Sequence, residues 1–358
     1  MTNFQTSPKK FHGRGTSDNP QNRFEKLSWE DDPETVDSDA PGPATEFFRD
    51  VSRSLIVTND SPDIPFEASL NPYRGCEHGC IYCYARPYHE YLGFSSGLDF
   101  ESKIMVKLEA PALLRKELSS PRWKPKVLAM SGVTDCYQPI ERKLKITRGC
   151  LEVLAEFRNP VGIITKNHLV TRDIDLLREL ARHDAVVVNI SVTTLDTELA
   201  RILEPRAASP KHRLEAIEKL AQAGIPVRVM AAPVIPALND SELPAILAAA
   251  ARAGAQDAGY TLLRLPHAVK DLFAAWLERH FPDRKQKILH RLEALRGGKL
   301  NDPRFGSRMR GEGAFAEQIE QLFLMGCKRA GFRGRERPLS TAAFRRPESG
   351  AVQLKLFG

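Results

Sequence analysis

The stretch Asn71-Pro72-Tyr73-Arg74-Gly75-Cys76-Glu77-His78-Gly79-Cys80-Ile81-Tyr82-Cys83-Tyr84-Ala85-Arg86 holds half of the six cysteines of a 358-residue chain. Three and then two residues separate Cys76, Cys80 and Cys83. Three thiolates so close can hold three irons of a cubane iron–sulfur cluster and leave the fourth iron without a protein ligand. Clusters that only carry electrons normally have a fourth protein ligand. An open iron is a place where a cofactor or substrate can be ligated. Gly75 and Gly79 let the backbone fold tightly around a cluster and turn N–H groups toward sulfur. Zinc is an alternative, but it normally wants four Cys or His ligands. His78 is the available fourth, and its place inside the loop would strain the backbone. Disulfides are the remaining alternative. Residues 1–20 lack the apolar core of a secretory signal. Cys136, Cys150 and Cys327 are scattered and form no framework. A reducing cytoplasm is the expected compartment.

From this loop onward, short apolar runs alternate with longer helical stretches. The pattern predicts strands near 68–74, 127–133, 161–166, 186–193, 227–233 and 258–264. Runs such as Val161-Gly162-Ile163-Ile164-Thr165 and Ala185-Val186-Val187-Val188-Asn189-Ile190 are mostly apolar and rich in β-branched residues. Strands of this kind are expected to be buried on both faces of a parallel sheet. Leu176–Ala181 and Arg213–Ala221 carry apolar residues at helical spacing. The second ends at Gly224 and Pro226, a helix stop followed by a strand start. Six such units predict an α/β fold: a partial (β/α)6 barrel of the TIM type, open where eight strands would close. The cysteine loop follows the first strand, and parallel barrels carry their chemistry on loops at the C-terminal strand ends.

After Pro266 the strand rhythm stops, and helices are expected at 272–277, 288–295 and 314–325. The expected organisation is a polar N-terminal extension (1–60), a core (61–270) and a basic, mainly helical C-terminal extension (271–358). Residues 1–44 are rich in Pro, Gly, Asp and Ser, a composition that favours disorder unless the segment docks on the folded body.

Hydrophobic residues make up 42% of the chain, enough for a substantial core. No apolar run is long enough to span a membrane; the best, 243–255, is short and contains Arg252. The formal net charge of +7 is unevenly placed, with an acidic stretch at 28–46 and an excess of Lys and Arg over 283–358. Arg304, Arg308, Arg310, Lys328, Arg329, Arg333, Arg335 and Arg337 lie in that basic part, near Phe305 and Phe332. Two readings stay open: a nucleic-acid contact surface, and an idle or acid-capped basic face.

The Cys76–Cys83 loop with its flanks resembles the cluster loop of radical S-adenosylmethionine enzymes. Within them it is most similar to the photolyase-like branch related to spore photoproduct lyase. The resemblance runs from about Ser61 to Pro266, with further similar stretches outside it, including Gly13-Arg14-Gly15 and Asn19-Pro20-Gln21-Asn22-Arg23-Phe24. It implies a partial barrel of the radical SAM kind, a [4Fe-4S] cluster held by Cys76, Cys80 and Cys83, and S-adenosylmethionine bound at the open iron. The implied activity is reductive cleavage of that cofactor to a 5′-deoxyadenosyl radical, which abstracts hydrogen from substrate. An electron donor of the flavodoxin or ferredoxin kind is an implied partner. A nucleic-acid substrate, DNA or RNA, undergoing a repair-like reaction or a modification is the leading expectation. Modification of a protein or small molecule, and a non-catalytic iron–sulfur scaffold, are the alternatives.

The resemblance also implies roles for single residues. Tyr82 matches a position packed near adenine, with ordinary packing as the alternative. Tyr84 matches a tyrosine lying between cofactor and substrate. Thr134 and Asp135 stand where the family contacts the methionine amino group, without the commoner Gly-Gly-Glu. Lys166 and Ser191 match cofactor contacts at the ends of the third and fourth strands; for Lys166 simple exposure is the alternative. Arg206 follows as a clamp for a carboxylate or phosphate, or as half of a structural pair with Glu204. Val234, within Pro233-Val234-Ile235-Pro236, falls in the apolar adenine-contact segment. Arg264 reaches either an anionic substrate or a neighbouring helix. The lyase's hydrogen-donating cysteine falls on Gly132 here. Cys136, about four positions on and in the loop, is the candidate donor, or else an incidental buried thiol.

Overall fold

A computed structural model describes residues 11–25, 43–332, 334 and 338–347. Most of the acidic stretch at 28–46, and Arg333, Arg335 and Arg337, lie outside these residues.

Strands form where the apolar runs fall. In chain order they are β1 (Glu46–Arg49), β2 (Ile56–Thr58), β3 (Ala68–Leu70), β4 (Tyr73–Arg74), β5 (Lys103–Val106), β6 (Leu128–Met130), β7 (Val161–Thr165), β8 (Val186–Ser191), β9 (Val227–Val234) and β10 (Asp257–Leu262). The main sheet has the order β10-β9-β8-β7-β6-β3-β2. From β3 to β10 every neighbouring pair is parallel, and β2 pairs antiparallel with β3 at one edge. Helices Ala110–Ser119, Ile146–Phe157, Ile174–Ala181, Pro210–Gln222 and Leu243–Arg252 fall between successive parallel strands. The architecture is therefore α/β with mixed sheets.

Two expectations need correction. The run 68–74 is not one strand. It divides at Asn71-Pro72 into β3 of the main sheet and β4, which joins β5 and β1 in a separate three-stranded sheet. Pro72 has no N–H with which to continue a ladder, so the chain changes sheets there. Nor are the central strands sealed on both faces. In β7, Val161, Ile163 and Thr165 are buried while Gly162 and Ile164 are only partly so, and Val187, Asn189, Arg228 and Met230 repeat the pattern. One face packs on helices, and the other stays partly accessible.

The packed face belongs to one core joining strand residues such as Ile163 and Val188 to Leu151, Leu154, Leu177, Leu180, Ile217, Leu220 and Leu247 of the helices. In Pro210–Gln222 the buried positions Arg213, Ala216, Ile217 and Leu220 follow helical spacing, with Ser209 before Pro210 at the start. Beyond β10 come helices Val269–His280, Pro282–Ala294 and Ala314–Ala330, near the places the sequence predicts. The last packs on Leu243–Arg252, where a Cβ on Gly326 would stand 2.7 Å from Leu247. Phe323 of that helix lies 4.7 Å from Tyr260 and helps cover the β10 edge.

Candidate cluster and cofactor centre

Parallel strands deliver their C-terminal ends to one side of a sheet, so the loops after β3, β6, β7, β8 and β9 meet there. The cysteine loop lies between β4 and β5. Gly75 (φ +77°) and Gly79 (φ +67°) both take left-handed turns in it. Cys76, Cys80 and Cys83 are free thiols, the first two buried and the third half-buried. Burial pushes all three thiols up from their ordinary value.

Two buried ion pairs hold this loop. Arg86 and Glu101, both fully buried, pair with each other. Arg86 also donates to the carbonyls of Cys80 (2.9 Å) and Gly97 (2.8 Å). Glu204 pairs with buried Arg213 and accepts from the Tyr82 hydroxyl and from Thr193 Oγ1. Burial alone pushes the Glu204 carboxyl up, but Arg213 and then Lys166 outweigh it and hold it well below the carboxylate range.

His78 is tied at both ring nitrogens. Its Nδ1 lies 3.4 Å from Asp135 and its Nε2 3.1 Å from the Asn167 amide. That leaves neither nitrogen free to join the thiols. Among the described residues, no three His, Cys, Asp or Glu side chains form a group fit for one metal ion. A cubane gives each thiolate its own iron, so it does not need the three to converge on a point.

The other sequence-predicted residues divide. Thr134 Oγ1 donates to the Gly75 carbonyl at 2.6 Å, which pins the β6 loop beside Cys76. Asp135 accepts from Thr165 Oγ1 and the Lys166 amide, both at 2.8 Å, and from the Tyr137 amide at 2.9 Å. These donors tie the β6 loop to the end of β7. Lys166 sends its ammonium over the Tyr82 ring at 5.9 Å, and among the described residues it has no carboxylate partner within ion-pair distance. Ser191 ends β8, and its carbonyl accepts from Arg213 at 3.1 Å. Val234 ends β9 and is buried. The Tyr84 hydroxyl donates to the Gly132 carbonyl, while the residue stays exposed.

Arg206 departs from expectation, and Cys136 takes the buried place that was one of its two readings. Arg206 donates to Glu77 at 3.0 Å and to Thr45 Oγ1 at 3.1 Å. Its fork is occupied within the cysteine loop, and the partner is Glu77 and not Glu204. Cys136 is in the loop after β6 as expected, but its side chain is fully buried in the main core, and burial pushes its thiol far up. The thiol there is packed among core side chains. Sequence reading missed Arg86, Glu101 and Arg213. The available signal was charged residues inside otherwise apolar stretches, such as Arg213 on the buried face of its helix.

Residues 11–25 dock against the loop. The Gly15 amide donates to Glu101 at 2.9 Å, and Arg14 donates to the Glu101 carbonyl and to the Pro43 carbonyl, both at 2.7 Å. The Asn22 side chain donates to the carbonyls of Glu90 and Phe94, both at 2.9 Å.

Three thiols thus lie on a short glycine-turned loop, at the C-terminal end of consecutive parallel strands. A family model for the Radical SAM superfamily matches residues 70–250, and the chain belongs to that superfamily. An uncharacterized protein of Mycobacterium tuberculosis is 39% identical over 222 residues, 62% of this chain and 65% of that protein. One of Methanocaldococcus jannaschii is 32% identical over 173 residues, 48% of this chain and 62% of that protein. The match to the mycobacterial relative thus spans 65% of its length. Among solved structures, spore photoproduct lyase complexed with dinucleoside spore photoproduct is similar at TM-score 0.58 and 18% identity, covering 79% of each chain. A lyase variant with bound AdoMet and the same dinucleoside is similar at TM-score 0.57 and 17% identity, covering 79% of this chain and 78% of that one. At such identity the likeness is one of fold. Among the described residues no helix is long and apolar enough to cross a membrane.

Proposed function

We propose that this chain is a radical S-adenosylmethionine enzyme that abstracts hydrogen from a nucleic-acid substrate, in a repair-like reaction or a modification. The observation that carries the reading is the gathering of Cys76, Cys80 and Cys83, unbridged and largely buried, on one loop. These residues fit a [4Fe-4S] cluster: burial raises all three thiols, and iron is the positive centre that would favour their thiolates. With S-adenosylmethionine at the open iron, the pair would supply reductive cleavage to a 5′-deoxyadenosyl radical.

The chain's own residues prepare the place. Lys166, an ammonium without a carboxylate partner among the described residues, suits the cofactor's carboxylate. Val234 and Tyr82 offer apolar surface to adenine. Ser191 is a polar neighbour at the end of β8, and Thr134 fixes the loop next to Cys76. Tyr84, exposed beside Cys83, stands on the substrate side. The consecutive parallel strands with a partly accessible face support a partial (β/α)6 barrel around this site. The three-part division at 60 and 270 follows from the same reading, as does an external reductant of the flavodoxin or ferredoxin kind.

The nucleic-acid assignment is supported by the fold shared with a lyase solved with a dinucleoside photoproduct and by the net charge of +7. The test is anaerobic reconstitution, iron analysis and EPR with and without S-adenosylmethionine. A cubane signal altered by the cofactor, with 5′-deoxyadenosine released on reduction, is expected. Stoichiometric zinc without iron would refute it, and an unchanged spectrum with no cleavage would favour a scaffold.

A further inference from the structure

An arginine with no acidic side chain at ion-pair distance among the described residues lies beside this site, next to a row of exposed rings. The Arg264 guanidinium sits 5.4 Å from the Tyr84 ring centroid. Its Nε is buried without a hydrogen-bond partner, and its Nη1 finds only the weak acceptor Met309 Sδ at 3.5 Å among the described residues. Neighbouring Arg308, by contrast, is paired with Asp63. Burial, then Arg308, depresses the hold of Arg264 on its proton more than Tyr84, Tyr88 and the more distant Asp63 restore it.

Tyr84 and Tyr88 are both electrostatic neighbours of Arg264. The Tyr88 and Tyr91 rings are 6.5 Å apart, and Tyr91 stacks on Phe24 at 4.8 Å, with Arg23 5.0 Å over Phe24. On the other side Arg308 lies 4.5 Å over Phe305. These five rings are 42% (Tyr84) to 68% (Tyr91) exposed, in a protein that buries most of its large apolar side chains. Exposed rings with guanidinium groups beside them can stack bases; Arg23 and Arg308 are already paired, with Glu90 and Asp63, which leaves Arg264 as the group suited to a phosphate.

We propose that this rim is the path of an unpaired nucleic-acid segment, with Arg264 gripping a phosphodiester beside Tyr84 and with Tyr88, Tyr91 and Phe24 stacking successive bases. The inference rests on the nucleic-acid reading above and deepens it, because it moves the contact from the C-terminal tail to the mouth of the cysteine site. A phosphate satisfies Arg264 as no described side chain does, and every base offers a face to a tyrosine.

The test is fluorescence anisotropy of labelled oligothymidylate and oligouridylate with the full-length, iron-loaded protein, over a series of salt concentrations. Tyr88→Ala and Tyr91→Ala, both on the surface and free to keep the fold, should each weaken binding by about tenfold without changing the salt dependence. Arg264→Gln should weaken binding and lower the slope of log affinity against log salt by about one. If the unaltered protein binds and all three variants match it, the rim is not the path, while the nucleic-acid reading stands. If only the arginine variant keeps its slope and affinity, the phosphate grip is wrong. If the unaltered protein binds neither oligonucleotide at low salt, this proposal and the substrate reading fall together.

Discussion

Gly15 lies so close to Gly79 that a Cβ added to Gly15 would stand 1.9 Å from the Gly79 carbonyl oxygen. Backbone meets backbone here, so no flexible side chain can give way. Gly15→Ala is expected to lift the N-terminal segment from the cysteine loop and cost about 1–3 kcal/mol, as overpacking does. Thermal unfolding and iron content per chain would both drop. An unchanged melting temperature with full iron would mean that the contact supports nothing.

Replacing Cys76, Cys80 or Cys83 by Ala should each abolish the cluster, because each thiolate would hold its own iron. Cys327→Ala, on the C-terminal helix, should retain full iron and the brown colour. Iron and sulfide analysis after anaerobic purification separates the two results.

Lys166→Ala should leave iron content intact and weaken S-adenosylmethionine binding by about tenfold, the usual scale of a hydrogen bond to a charged group. Calorimetry on the reconstituted protein reads this directly. Equal affinity in the variant would make Lys166 no more than a cation resting over Tyr82.

The Glu204–Arg213 pair predicts an acid-sensitive fold. The Glu204 carboxyl is lowered in the folded chain, so its contribution is complete above the ordinary glutamate value of about 4.3 and is lost as pH falls through the lowered folded value. Glu204→Gln should cost about 3 kcal/mol near neutrality, because Arg213 stays buried without its partner. Below about pH 4.3 the gap between the two proteins should narrow. Urea unfolding at a series of pH values measures it; a gap that widens toward acid would reverse the sign and defeat the argument.

Much of the fold was legible because periodicity is local. Val161–Thr165 and Val186–Ile190 announce strands by composition, and Arg213–Ala221 announces a helix by spacing. The division at Pro72 was legible too, had the missing N–H been weighed against the apolar run. Partners far apart in the chain were not. Nothing near Arg206 says that its carboxylate is Glu77 and not Glu204, and nothing near Arg86 points to Glu101. Such pairings depend on how loops meet after the sheet has formed. Cys136 was left between two readings for the same reason: its position on the loop was legible, but the burial of its side chain depends on packing in the core that the local sequence does not show.

The docked segment at 11–25 also has a consequence for the order of biosynthesis. These residues are made well before their partners in the folded core. Glu90, Glu101 and His267, which meet Arg23, Gly15 and Arg23 again, are made in turn afterwards. The segment therefore cannot dock fully until translation has passed residue 267. Until then the three thiols are present in the nascent chain with the segment not yet fully docked beside their loop.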